Sequence, residues 1–189
     1  THLGHSFPTR RSSDLKGIQD WAIFPSSGTD LNEDMWEFKE RARWLKNGRK
    51  KEPIFIRHTK TYKSRKNPST RLPCDRHFDT IKLNDKYKGK LKGRVVCVLD
   101  DYLTNGTSFE TARNLLLKEG VAKIFFVSLG RYYKTRECDH YFRQDYDIKG
   151  DVYSPKGYIY QKTNGEWLEG SFDYGAIKEI ESLYEIIYG

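Results

Sequence analysis

The sequence predicts an α/β protein: a parallel sheet with helices on both faces, followed by a C-terminal extension of a β-hairpin and a helix. The first observation behind this prediction is that apolar segments of strand length alternate along the chain with amphipathic segments of helix length, an order typical of parallel sheets. The second is the unbroken apolar run at residues 95–99, which is typical of a strand buried on both faces.

Four strands and two helices are predicted for the sheet and its faces. The strands are expected at residues 21–24, 53–57, 94–99 and 123–129. The first helix is predicted over residues 32–45, because apolar side chains recur there at helical spacing and Asn47-Gly48 follows as a stop signal. The second helix, over residues 109–119, joins the third strand to the fourth and ends at Gly120.

The C-terminal region is rich in aromatic residues and is predicted to form the extension. Residues 151–161 have β character and contain a turn signal at Pro155-Lys-Gly157. Residues 175–188 are predicted to form an amphipathic helix, because five branched apolar side chains fall on one side of it: Ile177, Ile180, Leu183, Ile186 and Ile187.

We divide the chain into three parts. Residues 1–15 are expected to be a non-native artefact, because residues 6–15 are similar to the translation of a common sequencing-adapter oligonucleotide. Residues 16–132 are predicted to form the α/β core, with the native N-terminus truncated. Residues 133–189 are the predicted C-terminal extension, which could pack on the core or form a substrate-binding hood.

The amino-acid composition indicates the cellular compartment and the charge of the ligands. No apolar stretch approaches the length of a membrane span, and the three cysteines lack the spacing of a disulfide framework. We therefore expect a cytoplasmic protein without a membrane partner. The formal net charge of +8 suits anionic ligands, nucleic acids included.

The most informative motif follows the apolar run at residues 95–99. Two carboxylates, Asp100 and Asp101, end the run, and a short loop of glycine and hydroxyl residues at 104–108 leads into the second helix. Backbone N–H groups at a helix N-terminus favour an anion such as phosphate. Ionised carboxylates only accept hydrogen bonds, which suits sugar hydroxyls or a hydrated Mg²⁺. The motif therefore predicts a site for a phosphorylated sugar.

This motif resembles the binding motif for 5-phosphoribosyl pyrophosphate (PRPP) in the type I phosphoribosyltransferases. The resemblance covers about residues 20–132 and is most specific at 95–108. It implies the type I phosphoribosyltransferase fold and a glycosyltransferase, of the pentosyltransferase class, with a role in nucleotide metabolism. Such an enzyme moves the phosphoribosyl group from PRPP to a nitrogenous acceptor and releases pyrophosphate.

The resemblance also implies a role for each residue of the motif. Asp100 and Asp101 would hold the ribose hydroxyls, and Mg²⁺ would be bound near them through PRPP, without a direct protein ligand. The 5′-phosphate would be held by the loop residues Thr104, Asn105, Gly106, Thr107 and Ser108. Asn105 stands where the family most often has threonine. Thr104 replaces the aspartate of the 6-oxopurine enzymes, which indicates a different acceptor.

A second small polar loop, Pro25-Ser-Ser-Gly28, follows the first predicted strand. By resemblance it is a pyrophosphate-binding loop in which Ser26, Ser27 and Gly28, together with Arg57, hold that group. An ordinary strand-to-helix turn with a serine cap is the equally weighted alternative.

A basic segment between the second and third predicted strands resembles the flexible catalytic loop of the family. Its candidates for stabilising the leaving pyrophosphate are Lys60, Lys63 and Arg65, with Tyr62 as a cover over the site. A solvated basic loop, or a nucleic-acid-binding patch, is the alternative.

Other interpretations of the whole chain stay open. The pattern Thr107-Ser-Phe-Glu110 is also that of a capping box, which would give the hydroxyls a purely structural role. Cys74, His77, Cys138 and His140 could in principle bind zinc. The motifs loosely resemble those of competence-type (ComF-like) phosphoribosyltransferase domains. The oligomeric state stays open, with a homodimer as one alternative. The alternative to an enzyme is a non-catalytic PRPP- or nucleotide-sensing regulator, with nucleic acid as a partner in that case only. A third interpretation is a subunit that presents this corner to a partner protein.

Overall fold

The computed structural model describes residues 17–44, 52–61, 73–131 and 140–169. In chain order its elements are β1 (Asp20–Ile23), α1 (Glu33–Trp44), β2 (Phe55–Arg57), α2 (Asp75–Phe78), β3 (Ile81–Leu83), β4 (Val95–Leu103), α3 (Thr107–Lys118), β5 (Lys123–Arg131), β6 (His140–Gly150) and β7 (Tyr158–Glu169). In these parts of the chain, no helix has the length and apolar character needed to cross a membrane.

A three-stranded parallel sheet in the order β1-β4-β5 forms the centre of the fold. Ile23 of β1 is in register with Leu99 of β4, which in turn lies opposite Val127 of β5. The apolar run predicted as a doubly buried strand is the middle strand, so the predicted α/β class with a parallel sheet is confirmed. The predicted type I phosphoribosyltransferase fold is a finer statement, taken up below as a proposal.

Helices cover both faces of the sheet, as predicted, because alternate side chains of β4 enter two different cores. Val96 and Val98 pack with Ala112 of α3 on one face. Cys97 and Leu99 pack with residues of α1 on the other face. Since successive side chains of a strand point to opposite faces, one apolar segment supplies both cores.

The bounds of the two helices lie close to the predicted ones. Asn32 begins α1 as its N-cap, since its side-chain Oδ1 accepts a hydrogen bond from the Met35 N–H at 3.2 Å. The prediction for β4 was too short: the strand runs on to Leu103. Asp100 and Asp101 therefore lie on the strand itself and not on a loop after it.

The region around the second predicted strand differs from the prediction in two ways. β2 exists, but it pairs antiparallel with β3, a three-residue strand that was not predicted, and does not join the parallel sheet. Phe55 of β2 and Leu83 of β3 point into the same core as Val98. The short Ile-Lys-Leu sequence of β3 carries too few residues for a strand period to stand out.

The predicted C-terminal hairpin is present, with different strand bounds. β6 and β7 pair antiparallel over their whole length, and residues 151–157, predicted as part of a strand, form the connection. The turn signal at Pro155-Lys-Gly157 falls in this connection. The predicted helix over 175–188 lies outside the described residues.

A buried polar network attaches the hairpin to α3. The Glu110 carboxylate is fully buried and pairs with Arg113, whose Nη2 lies 2.6 Å from Glu110 Oε2. It also accepts hydrogen bonds from the Tyr141 hydroxyl at 2.7 Å and the Gln144 N–H at 2.9 Å. Arg113 in turn donates to the Gln144 carbonyl oxygen and to Asp145. The two buried charges of α3 are thus satisfied largely by β6.

We predict that Arg113→Met lowers the free energy of unfolding by about 3 kcal/mol, because it leaves the buried Glu110 carboxylate without its counter-charge. Urea unfolding at neutral pH measures this. The matched control is Lys118→Met, which removes an exposed positive charge from the same helix and should change the unfolding free energy by less than about 0.5 kcal/mol. Equal stability of the two variants would contradict the prediction.

Candidate functional site

A cavity of about 410 Å³ opens at the carboxyl ends of β1 and β4. Because the two strands are parallel neighbours, the segments that follow them meet at this edge of the sheet. Its lining combines the segment after β1, the end of β4 with the start of α3, and a group next to them: Phe24, Pro25, Ser26 and Ser27; Asp100, Asp101, Tyr102, Leu103, Thr104, Gly106, Thr107 and Ser108; and Arg57, Thr61, Arg76 and His77. The structure therefore brings both predicted loops to one cavity.

The acidic pair lies at the centre of this lining. Asp100 is partly buried, and its carboxylate accepts hydrogen bonds from the Asp101 backbone N–H, at 3.0 Å, and from the Ser108 hydroxyl. Asp101 is exposed, and its Oδ1 accepts the Tyr102 N–H at 2.7 Å. The Asp100 and Asp101 side chains also interact with each other, so the two carboxylates form one pair at the cavity wall.

Burial, followed by the negative charge of Asp101, raises the pKa of Asp100 to about 7. The hydrogen bonds from the Asp101 N–H and the Ser108 hydroxyl act the other way and lower the pKa. At neutral pH the ionised Asp100 is therefore held at a cost in free energy, which a cation or hydroxyl donors in the cavity would reduce.

The loop between β4 and α3 turns at Gly106, the N-cap residue of α3. Gly106 has φ +79°, a left-handed conformation that glycine adopts readily. A Cβ built there would lie 2.3 Å from Cε2 of Tyr141, so the ring of Tyr141 fills the space of the missing side chain. The first turn of α3 faces the cavity with Thr107 and Ser108, and the N–H groups of a helix's first turn have no acceptor within the helix.

The capping-box interpretation of this segment is wrong. In a capping box Thr107 would be the N-cap and the Glu110 side chain would bond back to it. Instead Gly106 is the N-cap, Thr107 is the first helical residue, and Glu110 is bound to Arg113 and Tyr141. The hydroxyls of Thr107 and Ser108 are therefore not explained by that motif.

The loop after β1 is held in place by Arg57. Its guanidinium donates hydrogen bonds to the carbonyl oxygens of Ser26 and Pro25 and to the Thr80 hydroxyl. The backbone N–H of Thr61 adds a hydrogen bond to the Ser27 carbonyl oxygen at 2.9 Å. Because Arg57 is buried and lies near the positive charge of Arg76, its pKa is lowered to about 10, which still leaves it charged at neutral pH. Arg57 lines the cavity, and its predicted contact with pyrophosphate stays a prediction.

Sequence reasoning missed His77 as part of this site. Its Nδ1 lies 3.2 Å from Nη2 of Arg57, and its ring packs edge-on against Phe24 with a centroid distance of 5.1 Å. Burial, followed by the charges of Arg76 and Arg57, lowers the pKa of His77 well below its usual value, so the ring is neutral and Nδ1 accepts the Arg57 hydrogen. A lone histidine after a basic segment carries no sequence signal for such a role.

Of the other predicted site residues, the structure describes three, which are Gly28, Asn105 and Lys60. Gly28 is partly buried in the loop after β1, and Asn105 is partly buried in the loop before α3. Lys60 is exposed at the end of the segment that contacts the Ser27 carbonyl. Tyr62, Lys63 and Arg65 lie outside the described residues, so the predicted catalytic loop stays a prediction.

The zinc alternative gains no support from the residues that the structure describes. The Cys74 thiol donates to the Thr107 carbonyl oxygen at 3.7 Å, and His77 is bound to Arg57. Cys138 lies outside the described ranges. Across those ranges, no three His, Cys, Asp or Glu side chains are grouped so that they could hold a metal ion.

A larger cavity of about 630 Å³ lies near the opposite ends of β1 and β4. Four of the charged side chains that line it form ion pairs, Arg94 with Asp20 and Lys86 with Glu52. Charges that are paired within the protein offer little to a charged ligand, so the cavity at the carboxyl ends is the better candidate.

No protein-family model and no curated protein sequence matches this chain. The candidate site is therefore defined by its geometry: an acidic pair at the end of a middle strand, a helix N-terminus beside it, and an arginine-held loop across from it.

We predict that Asp100→Asn raises the free energy of unfolding by about 4 kcal/mol at pH 8 and leaves it nearly unchanged at pH 4. The folded-state pKa of about 7 lies above the unfolded value of 3.8. The native protein therefore binds the Asp100 proton more tightly, and this group's contribution to stability is full below pH 4 and is lost as the pH rises to 7. Urea unfolding across this range measures the effect.

Asp101→Asn is the control for the pH experiment. Asp101 is exposed, and its replacement removes its repulsion of Asp100 but leaves the burial of that carboxyl, which is the larger cause of the raised pKa, so the gain in unfolding free energy at pH 8 should be smaller. A gain for Asp100→Asn that is the same at pH 4 and pH 8 would contradict the assignment of the raised pKa.

Proposed function

We propose that this protein is a Mg²⁺-dependent phosphoribosyltransferase of the type I fold, which transfers the 5-phosphoribosyl group of PRPP to a nitrogenous acceptor. The observation that carries the proposal is the meeting, in one 410 Å³ cavity, of a strand-end acidic pair, a helix N-terminus and a second polar loop. These are the three kinds of group that a sugar with a phosphate at one end and a pyrophosphate at the other requires.

The ribose and its 5′-phosphate are assigned to β4 and α3. Asp100 and Asp101 accept hydrogen bonds from the ribose hydroxyls, and the phosphate lies against residues 104–108. The left-handed Gly106 and the first turn of α3 support this assignment, because N–H groups at a helix N-terminus favour an anion. Ser108 donates to Asp100 and so ties the two halves of the subsite together.

The pyrophosphate is assigned to the loop after β1. Ser26 and Ser27 supply hydroxyl donors at the cavity wall. Gly28 is partly buried in the same loop and is not among the residues that line the cavity. Arg57 keeps a positive charge against this loop through its bonds to the carbonyl oxygens of Pro25 and Ser26. Arg76 adds a second positive charge to the same wall, which favours a polyanion.

A Mg²⁺ ion fits this donor set only together with the substrate. The two adjacent carboxylates repel each other, and this repulsion contributes to the raised pKa of Asp100, so a hydrated cation near them would be favoured. Two carboxylates are too few to hold Mg²⁺ alone, so the ion would be bound through PRPP and would lie near Asp100 and Asp101 without a direct protein ligand. When bound, the ion would neutralise charge on the departing pyrophosphate.

The reaction follows from this arrangement. The bond between C1 of the ribose and the pyrophosphate oxygen breaks, and its electron pair leaves with pyrophosphate. The acceptor nitrogen bonds to C1 from the opposite face, with inversion, and releases its proton to solvent. The protein acts by holding the reactants in line and by stabilising the leaving group with Arg57, Arg76 and the loop after β1.

The proposal also includes a loop that covers the site. Its residues are Lys60 and, further along the chain, Tyr62, Lys63 and Arg65. Thr61 lines the cavity and its N–H bonds to the Ser27 carbonyl oxygen, so the start of this segment is attached to the pyrophosphate loop. Exclusion of water by such a loop would prevent hydrolysis of PRPP.

Calorimetric titration of PRPP into the full chain with Mg²⁺ tests the proposal. Saturable binding is expected, and the double variant Asp100→Asn/Asp101→Asn should lose it by about 100-fold or more, because two charge-assisted contacts are removed. The matched control is Asp147→Asn, which removes an exposed carboxylate from β6 and should leave PRPP binding unchanged.

Pyrophosphate release, measured with PRPP and a panel of nitrogenous bases, then separates the enzyme from the regulator. Release with one base supports the transferase. Tight PRPP binding without release for any base would favour the nucleotide-sensing regulator, for which the net charge of +8 and salt-dependent nucleic-acid binding would be the supporting observations. No PRPP binding by the folded protein would overturn both.

A further inference from the structure

The helix α2 is a single turn, Asp75–Phe78, that carries two residues of the cavity wall, Arg76 and His77. Its N-cap residue, Cys74, makes no capping hydrogen bond through its side chain. A helix of one turn is unstable alone, because the first turn fixes several backbone angles for one hydrogen bond. The position of α2, and of the two residues it carries, is therefore set by the groups that pack against it.

The C-terminal hairpin supplies the aromatic rings against which α2 packs. Phe78, which is buried, lies with its ring centroid 4.8 Å from that of Tyr146 and 4.9 Å from that of Tyr160. The ring of Tyr158 is edge-on to Phe78 at 6.4 Å. Tilted and edge-on ring pairs at these distances are favourable. The apolar side of α2 thus rests on three tyrosines of β6 and β7.

The hydroxyl groups of the two β7 tyrosines hold the C-terminal end of α2. The Tyr158 hydroxyl lies 2.7 Å from the carbonyl oxygens of both Phe78 and Ile81 and donates its hydrogen to them. The Tyr160 hydroxyl donates to Oδ1 of Asp79 at 2.7 Å. These contacts fix the backbone at the point where α2 ends and β3 follows.

The N-terminal end of α2 is held in the same way by Tyr146 of β6. Its hydroxyl accepts a hydrogen bond from the Cys74 N–H at 3.2 Å and donates to Oδ1 of Asp75 at 3.1 Å. Hydroxyl groups of the hairpin therefore bind both ends of α2.

A continuous series of hydrogen bonds leads from α2 to the loop after β1. Arg57 donates from Nη2 to Nδ1 of His77, at 3.2 Å, and from Nη1 to the hydroxyl of Thr80, which lies just beyond α2. The same guanidinium donates to the carbonyl oxygens of Pro25 and Ser26. The position of α2 is thus passed on to the guanidinium that holds this loop.

We propose that Tyr158 and Tyr160 are positioning residues of the candidate site: by fixing α2, they place Arg76 and, through His77, Arg57 at the wall assigned to pyrophosphate. This inference rests on the proposed function. Neither tyrosine is among the described residues that line the cavity, so both act through α2. Small displacements of a positioned charged group cost much of its effect on a bound ligand. The C-terminal hairpin is in this way part of the machinery that binds the polyanion.

Two probes separate the wall from the rest of the site: inorganic pyrophosphate, and ribose 5-phosphate for the subsite on β4 and α3. Binding of each to the full chain with Mg²⁺ is measured by calorimetry. The double variant Tyr158→Phe/Tyr160→Phe keeps both rings and removes only the hydroxyl groups. It should weaken pyrophosphate binding by about 5- to 20-fold and leave ribose 5-phosphate binding within about 2-fold.

The matched control is Tyr153→Phe. Tyr153 is a buried residue of the connection between β6 and β7, and its hydroxyl donates to Oε2 of Glu119 at 2.7 Å, beyond the far end of α3. This variant also removes a hydroxyl bond between the hairpin region and the core, but it leaves α2 untouched. It should lower the free energy of unfolding in urea and leave the binding of both probes unchanged.

Each outcome decides the inference. A double variant that binds pyrophosphate as the unmodified protein does, or that loses both probes equally, overturns the positioning role while the proposed site stands. An equal loss of pyrophosphate affinity in Tyr153→Phe also overturns it, because the effect would then follow from stability alone. If pyrophosphate does not bind the folded unmodified protein, the positioning role fails. If ribose 5-phosphate does not bind either, the proposed function fails with it.

Discussion

The ion pair between Glu110 and Arg113 is the interaction on which the arrangement of this fold depends. Both side chains are buried on α3, Glu110 in its first turn and Arg113 in its middle, and an unpaired buried charge costs several kcal/mol. Neither is satisfied by the other alone, because Glu110 also needs Tyr141 and Gln144, and Arg113 also needs Asp145 and the Gln144 carbonyl oxygen. The helix that faces the candidate site and the C-terminal hairpin are consequently parts of one folded unit.

The candidate site contains two pairs of like charges, which do not stabilise the fold. The partly buried carboxylate of Asp100 lies next to that of Asp101. The guanidinium groups of Arg57 and Arg76 also lie close together, and the charge of Arg76 contributes to the lowered pKa of Arg57. Such like-charge pairs reduce the stability of the free protein. They are understandable where a ligand of opposite charge or with hydroxyl donors restores the balance.

Much of the fold could be predicted from the sequence, and the misses have physical causes. The apolar run of β4 and the apolar stripe of α1 are strong periodic signals, so their positions were found. β6 was missed because its charged residues and the irregularity between Asp145 and Tyr146 interrupt the alternation of a strand. The capping-box pattern misled because two partners of Glu110, Tyr141 and Gln144, lie more than thirty residues away. His77 carried no local signal for its contact with Arg57. The acidic pair and both polar loops were found because short motifs there carry their chemistry locally.

The contact between Gly106 and Tyr141 joins the loop before α3 to the first residues of the C-terminal hairpin. The ring of Tyr141 fills the space above the Gly106 backbone, and its hydroxyl donates a hydrogen bond to Glu110 of α3. The loop before α3 and the start of β6 therefore pack directly against each other. Because coupling between binding and local order is reciprocal, a ligand that orders this loop through that contact would also stabilise the hairpin, and a substitution that loosens the hairpin would weaken the ligand.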